Sequence, residues 1–180
     1  MRLAARPELQ AARRYAPEAV AALECANDAA SRALDPELAA TMRARVAEQL
    51  GLAPAAARTA PSGARDEACC DFADQFVVCV AAVDDDQRAG VAAALGEENV
   101  PTLAEMLYVF DMTGRLVCAL ARLFEPGEGD SDAGLAPVEH RPLTEATERL
   151  HAAAMRLHEL DPVTTELVRL HCARYHDCKT

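Results

Sequence analysis

The chain has no isoleucine, and aromatic residues make up only 4% of its 180 positions. β-Branched and aromatic side chains suit a pleated, half-buried surface, and valine rarely alternates here, so a substantial sheet is excluded. Positive charge is also short: 18 Lys and Arg stand against 29 Asp and Glu, a net charge of −11. An acidic field does not attract phosphate backbones or anionic lipid surfaces, which argues against nucleic acid and membrane partners. No stretch approaches the ~18 consecutive apolar residues of a membrane span. The start, Met1 to Glu8, is arginine-bearing and lacks the apolar core of an export signal, so a soluble, cytoplasmic protein is expected.

What is present is helix-forming. Apolar residues make up 51% of the chain, much of that alanine, accompanied by leucine and arginine. The expected fold is all-α, a multi-helix bundle with no significant β-sheet. The length suits one domain with a real core, or one domain plus part of another. The seven cysteines are Cys25, Cys69, Cys70, Cys79, Cys118, Cys172 and Cys178. The first five sit inside apolar helical patterns and read as small buried hydrophobes, whereas Cys178 follows Asp177 at an expected helix end.

Residues 1–16 form an arginine-rich N-terminal extension, frayed or briefly helical. From Pro17, Val20, Leu23, Ala26 and Ala30 share a helix face to about Ala33, with Asn27 as the polar intruder. Asp35-Pro36 is a helix start, followed by Leu38, Met42, Val46 and Leu50 and closed by Gly51. After a loop over 52–64, Asp66 is expected to cap a helix bearing Cys69, Phe72, Ala73, Phe76, Val77 and Val80. The run Val83 to Asp86 caps a short helix closed by Gly96. The longest helix is expected from Pro101 to Phe124, striped by Leu103, Met106, Leu107, Phe110, Val117 and Phe124. Gly114 marks a close helix approach, and Asp111 and Arg115 an i,i+4 pair. Residues 17–125 thus read as a first helical domain and 126–142 as an acidic linker. Residues 143–180 are the opening helices of a second, incomplete unit, with Leu143, Ala146, Leu150, Ala153 and Leu157 on one face of its first helix.

Two blocks match at a spacing of 126 residues. Asp35-Pro36 falls on Asp161-Pro162, Leu34 on Leu160, Arg43 on Arg169 and Ala47 on Ala173, each block following an amphipathic helix. A duplicated helical unit is the reading these matches favour.

The second block runs Asp161-Pro-Val-Thr-Thr-Glu-Leu-Val-Arg-Leu-His-Cys-Ala-Arg-Tyr-His-Asp-Cys178. It resembles the active-site helix of the alkyl hydroperoxidase D and carboxymuconolactone decarboxylase superfamily. That family's motif is Glu, eleven residues, Cys-x-x-Cys, three residues, His, and eleven residues separate Glu166 from Cys178. The segments Phe72 to Val78 and Leu107 to Leu116 also look like the back half of one family domain. The resemblance covers roughly 17–125 as a degenerate copy and 143–180 as the start of another. In the first copy the motif positions fall on Ala40, Leu52, Ala55 and Thr59, none of which can carry a proton relay or form a disulfide. In the second, the resolving cysteine and the histidine would stand at positions 181 and 185, past Thr180, so a copy cut short is expected.

The resemblance implies a thiol-dependent peroxidase, an antioxidant oxidoreductase, with Glu166 and Cys178 as catalytic residues and His176 as an accessory. It also implies a dithiol electron donor and homo-oligomerisation, and no cofactor. On one straight helix, Glu166 and a residue twelve further on stand about 18 Å apart, so the pair cooperates only where the chain turns after Asp177. No metal site is expected: His171 and His176 do not share a helix face, and no ligand joins His151 and His158 at the right spacing. Two other functions stay open. One is a non-catalytic helical oligomerisation or binding module, and the other is lactone chemistry of the decarboxylase branch.

Overall fold

The computed structural model describes residues 6–52, 61–124 and 139–157, together with Asp161, Val163, Thr164, Glu166, Leu167, Leu170 and Arg174. Among these the protein is an all-α bundle. In chain order the helices are α1 (Pro7–Arg13), α2 (Pro17–Ala30), α3 (Pro36–Gln49), α4 (Ala64–Cys79), α5 (Asp85–Leu95), α6 (Val100–Leu123) and α7 (Leu143–Met155). Short 3-10 turns at 80–82 and 97–99 follow α4 and precede α6. No described residue is in a strand, and no helix among them is long and apolar enough to cross a membrane.

The helix boundaries follow local chemistry. Pro starts α1, α2 and α3 in the first turn, where its missing N–H costs nothing. The Asp35 carboxylate accepts from the N–H groups of Glu37 (2.7 Å) and Leu38 (3.3 Å). Asp84 and Gln87 form a reciprocal capping box at the head of α5, and Gly96 ends that helix with a φ of 90°. One expected cap is different. Asp66 does not cap α4: the helix starts two residues earlier, and the Asp66 carboxylate reaches back to accept from the Ser62 N–H and hydroxyl.

α6 is the axis of the core. Its stripe of Leu103, Met106, Leu107, Val109, Phe110, Thr113 and Val117 is buried and meets every other helix of the bundle. Phe124, expected as the last residue of the stripe, instead stands just past the helix and stacks on Tyr15 at 5.9 Å between ring centroids. α2 is buried beyond the single face its sequence suggests: Ala22, Cys25 and Ala29 join Leu23, Ala26 and Ala30. The reason is α7, which returns after 125–138 and packs on α2 more extensively than any other pair of helices packs. Alanine and cysteine on α2 leave room for that approach. Leu143, Ala146, Leu150 and Ala153 of α7 enter the same core cluster as α2, α3 and α6. Leu157 does not, because α7 ends at Met155 and the chain has left the helix.

Polar contacts tie the layers together. The Arg45 guanidinium grips Asp74 through two bonds, 2.6 and 2.5 Å, joining α3 to α4. Arg115 pairs with Asp111 as expected and also donates to the Val77 carbonyl at 2.7 Å, joining α6 to α4. The Tyr108 hydroxyl lies 2.8 Å from His151 Nε2, joining α6 to α7.

Candidate functional site

Of the three residues singled out at the chain's C-terminal end, Glu166 alone is among the described residues. Cys178 and His176 lie outside them, as do His171, Ala55 and Thr59. Asp161 caps the segment as its sequence suggests, accepting from the N–H groups of Val163 and Thr164 at 3.0 Å each and from the Thr164 hydroxyl at 2.5 Å. Those bonds, the Thr164 hydroxyl foremost, hold the Asp161 carboxyl below its ordinary range. Val163, Thr164, Glu166, Leu167, Leu170 and Arg174 are helical, and the Glu166 side chain is exposed one turn past the cap. The bonds at residues two and three past Asp161 repeat those past Asp35.

The buried cysteines are poor nucleophiles. Burial pushes the Cys69 thiol up to about 11 and raises Cys25 and Cys70 as well, so all three stay protonated at neutral pH. Two of the five expected buried cysteines are not buried: Cys79 is exposed at the last turn of α4 and Cys118 is half-buried on α6. Each sits at the edge of its apolar stripe, where periodicity assigns sides poorly. Among the described residues no three His, Cys, Asp or Glu side chains are grouped as a metal would need.

The best-formed cleft lies elsewhere, between α2, α3 and α6. Its volume is about 100 Å³, with Val46, Ala47, Leu52, Phe110 and Val117 as apolar walls and Arg6, Asn27, Arg43 and Thr113 as polar ones. The buried Asn27 amide donates to Thr113 Oγ1 at 2.5 Å and to the Leu23 carbonyl at 3.2 Å. Thr113 in turn donates to the Val109 carbonyl at 2.6 Å. Arg43 Nη2 donates to the Asn27 carbonyl at 3.2 Å and to the Ser31 hydroxyl, and the guanidinium lies over the Phe110 ring, 4.6 Å from its centroid. No carboxylate is within ion-pair distance of Arg43 among the described residues. Burial pulls this guanidinium below its ordinary pKa, with only the more distant Asp28 acting against that, yet an arginine remains a cation.

Gly114 lines the cleft from α6. A Cβ there would stand 2.5 Å from Leu50 Cδ1, so the end of α3 and the turn after it close down on α6 as the lone glycine suggests. Sequence reading found Asn27 only as an intruder on an apolar face and Arg43 only as a match in the repeat. The available signal was a basic residue on the α3 face that also bears Val46 and Ala47, three and four positions away.

No family model matches the chain, and no solved structure matches it. Two curated proteins are similar to it, from two strains of Mycobacterium tuberculosis, each carrying the name of an uncharacterized protein. Each is 31% identical over 125 residues, which cover 66% of this chain and 43% of the relative. The chain therefore spans less than half the length of the curated relatives it matches.

Proposed function

We propose that the C-terminal segment is the first part of a thiol peroxidase site of the alkyl hydroperoxidase D type, on the second of two related helical units. The observation that carries this reading is the repeated cap: Asp161 bonds the same two backbone positions as Asp35, and the Glu-x11-Cys spacing starts on the helix it opens. α3 is then the unit's inert copy, with Ala40 in the register of Glu166 and Leu52 in that of Cys178.

The chemistry assigned to Cys178 is attack of its thiolate on the outer oxygen of a hydroperoxide. The O–O bond breaks, an S–O bond forms, and the alkoxide leaves as the alcohol after taking a proton. An external dithiol then condenses with the sulfenic acid, releasing water, and its second thiol frees Cys178 as the donor becomes a disulfide. Glu166 is the group that accepts the thiol proton where the chain folds back beside it. The test is peroxide consumption with a dithiol donor by the wild type, Cys178→Ser and Glu166→Gln. Turnover is expected to vanish in the first variant and to fall about 100-fold in the second. A second reading, a non-catalytic binding module, draws on the outer face of the C-terminal segment, where Val163, Leu167 and Leu170 are exposed.

A further inference from the structure

We infer that the cleft between α2, α3 and α6 is a binding site for a small monocarboxylate with a compact apolar body, its carboxylate held by Arg43. This site is separate from the C-terminal chemistry and stands or falls without it.

The inference starts from what Arg43 does not do. A guanidinium has five N–H donors. The two bonds of Arg43 both leave from Nη2, so Nε–H and the two N–H groups of Nη1 have no partner among the described residues. The other arginines that tie α3, α4 and α6 together, Arg45 and Arg115, each hold a carboxylate. Arg43 is fixed instead by neutral acceptors and by the face of Phe110, which set the plane of its fork without neutralising it. A preset cation with unused donors at the wall of a cleft suits an anion that fits between two N–H groups.

The walls define the rest of the ligand. Val46, Leu52, Phe110 and Val117 offer no hydrogen-bonding side-chain atoms, so the body facing them is apolar. Roughly 150 Å³ holds a benzene, so about 100 Å³ suits a body of about four carbons. Arg6, the other cation of the cleft wall, is paired with Glu8 at 3.3 Å, and the net charge of −11 disfavours dianions and polyphosphates, since Arg43 alone cannot offset their repulsion from the acidic surface. Asn27 and Thr113 are engaged with each other and with backbone carbonyls, and they brace the floor of the cleft.

Isobutyrate and its neutral isostere isobutyramide are the probes, titrated into the full chain and followed by the amide shifts of Thr113 and Gly114. Isobutyrate is expected to bind saturably with a Kd on the order of 1 mM, suited to six heavy atoms. The amide is expected to bind at least about tenfold more weakly, as is isobutyrate to Arg43→Gln. Ala47→Leu, which keeps the cation and fills the cleft, is expected to abolish the shifts; circular dichroism verifies that each variant is folded. The proposal is overturned by equal binding of acid and amide, by unchanged binding in Ala47→Leu, or by no saturable shift at all.

Discussion

α3 and the C-terminal segment share a cap, a proline start and a register, yet they meet different surroundings. In α3 the residues that matter to packing are Leu38, Met42 and Val46, exposed by 1%, 0% and 2%. In the C-terminal segment, Val163, Leu167 and Leu170 are exposed by 69%, 61% and 46%. The register shows why. Leu38, Met42 and Val46 fall on Thr164, Val168 and Cys172, so the exposed apolar residues occupy the positions of Glu37, Thr41 and Ala44, the outer face of α3. α3 gives its inner face to the core and carries Glu37 and Thr41 on the other side. The C-terminal segment exposes Val163, Leu167 and Leu170 and has Glu166 where the register of α3 has Ala40. A shared local signal thus starts both helices, while the faces decide which is scaffold.

The contrast is sharpest for single large-to-small changes. Met42→Ala is expected to cost about 2–5 kcal/mol, because it opens a cavity in the core, whereas Leu167→Ala should stay within about 0.5 kcal/mol. Chemical denaturation of the two variants measures the gap, and similar costs would place the C-terminal segment in the core after all. Next in size is Asn27→Ala, which strips Thr113 and the Leu23 carbonyl of a buried donor and is expected to cost about 1–3 kcal/mol.

The caps come last. Asp35→Ala is expected to lower the Tm by a few degrees, while Asp161→Ala leaves the Tm unchanged and only speeds amide exchange at Val163 and Thr164. Both carboxyls are held below their ordinary pKa, Asp35 by the Glu37 N–H first and Asp161 by the Thr164 hydroxyl first. A lowered folded pKa means the stabilisation is present above the unfolded value, about 3.9, and is lost as pH falls through the folded one. The Tm difference between wild type and Asp35→Ala should therefore hold at neutral pH and close in acid, as thermal melts across that range will measure.

The elements most legible in the sequence were those with strong local punctuation. Asp35-Pro36, the run Val83 to Asp86 with Gly96, and the 3.6-residue stripe of α6 carry their own boundaries, and the structure places them within a residue or two. Asp66 misled because two acidic residues of the first turn stand near the helix start, and only tertiary geometry decides which way the carboxylate points. The all-round burial of α2 was hidden for another reason. Alanine and cysteine read as neutral in a periodicity, and the partner that buries them, α7, lies more than a hundred residues away. The cleft was the least legible feature, because Arg43, Asn27, Phe110 and Thr113 come from three helices and only their juxtaposition leaves a cation without a counter-ion. Of the C-terminal site, the sequence supplied the spacing, and the structure adds the cap and the exposed Glu166.

The proposed peroxidase role of the C-terminal segment is tested most directly by steady-state consumption of an organic hydroperoxide with a dithiol donor, comparing Cys178→Ser with a variant in which Cys79 and Cys118 are both serine. Turnover lost in the first and retained in the second is the predicted result. Turnover that survives Cys178→Ser, or none in the wild type, would contradict a peroxidase site in the C-terminal segment.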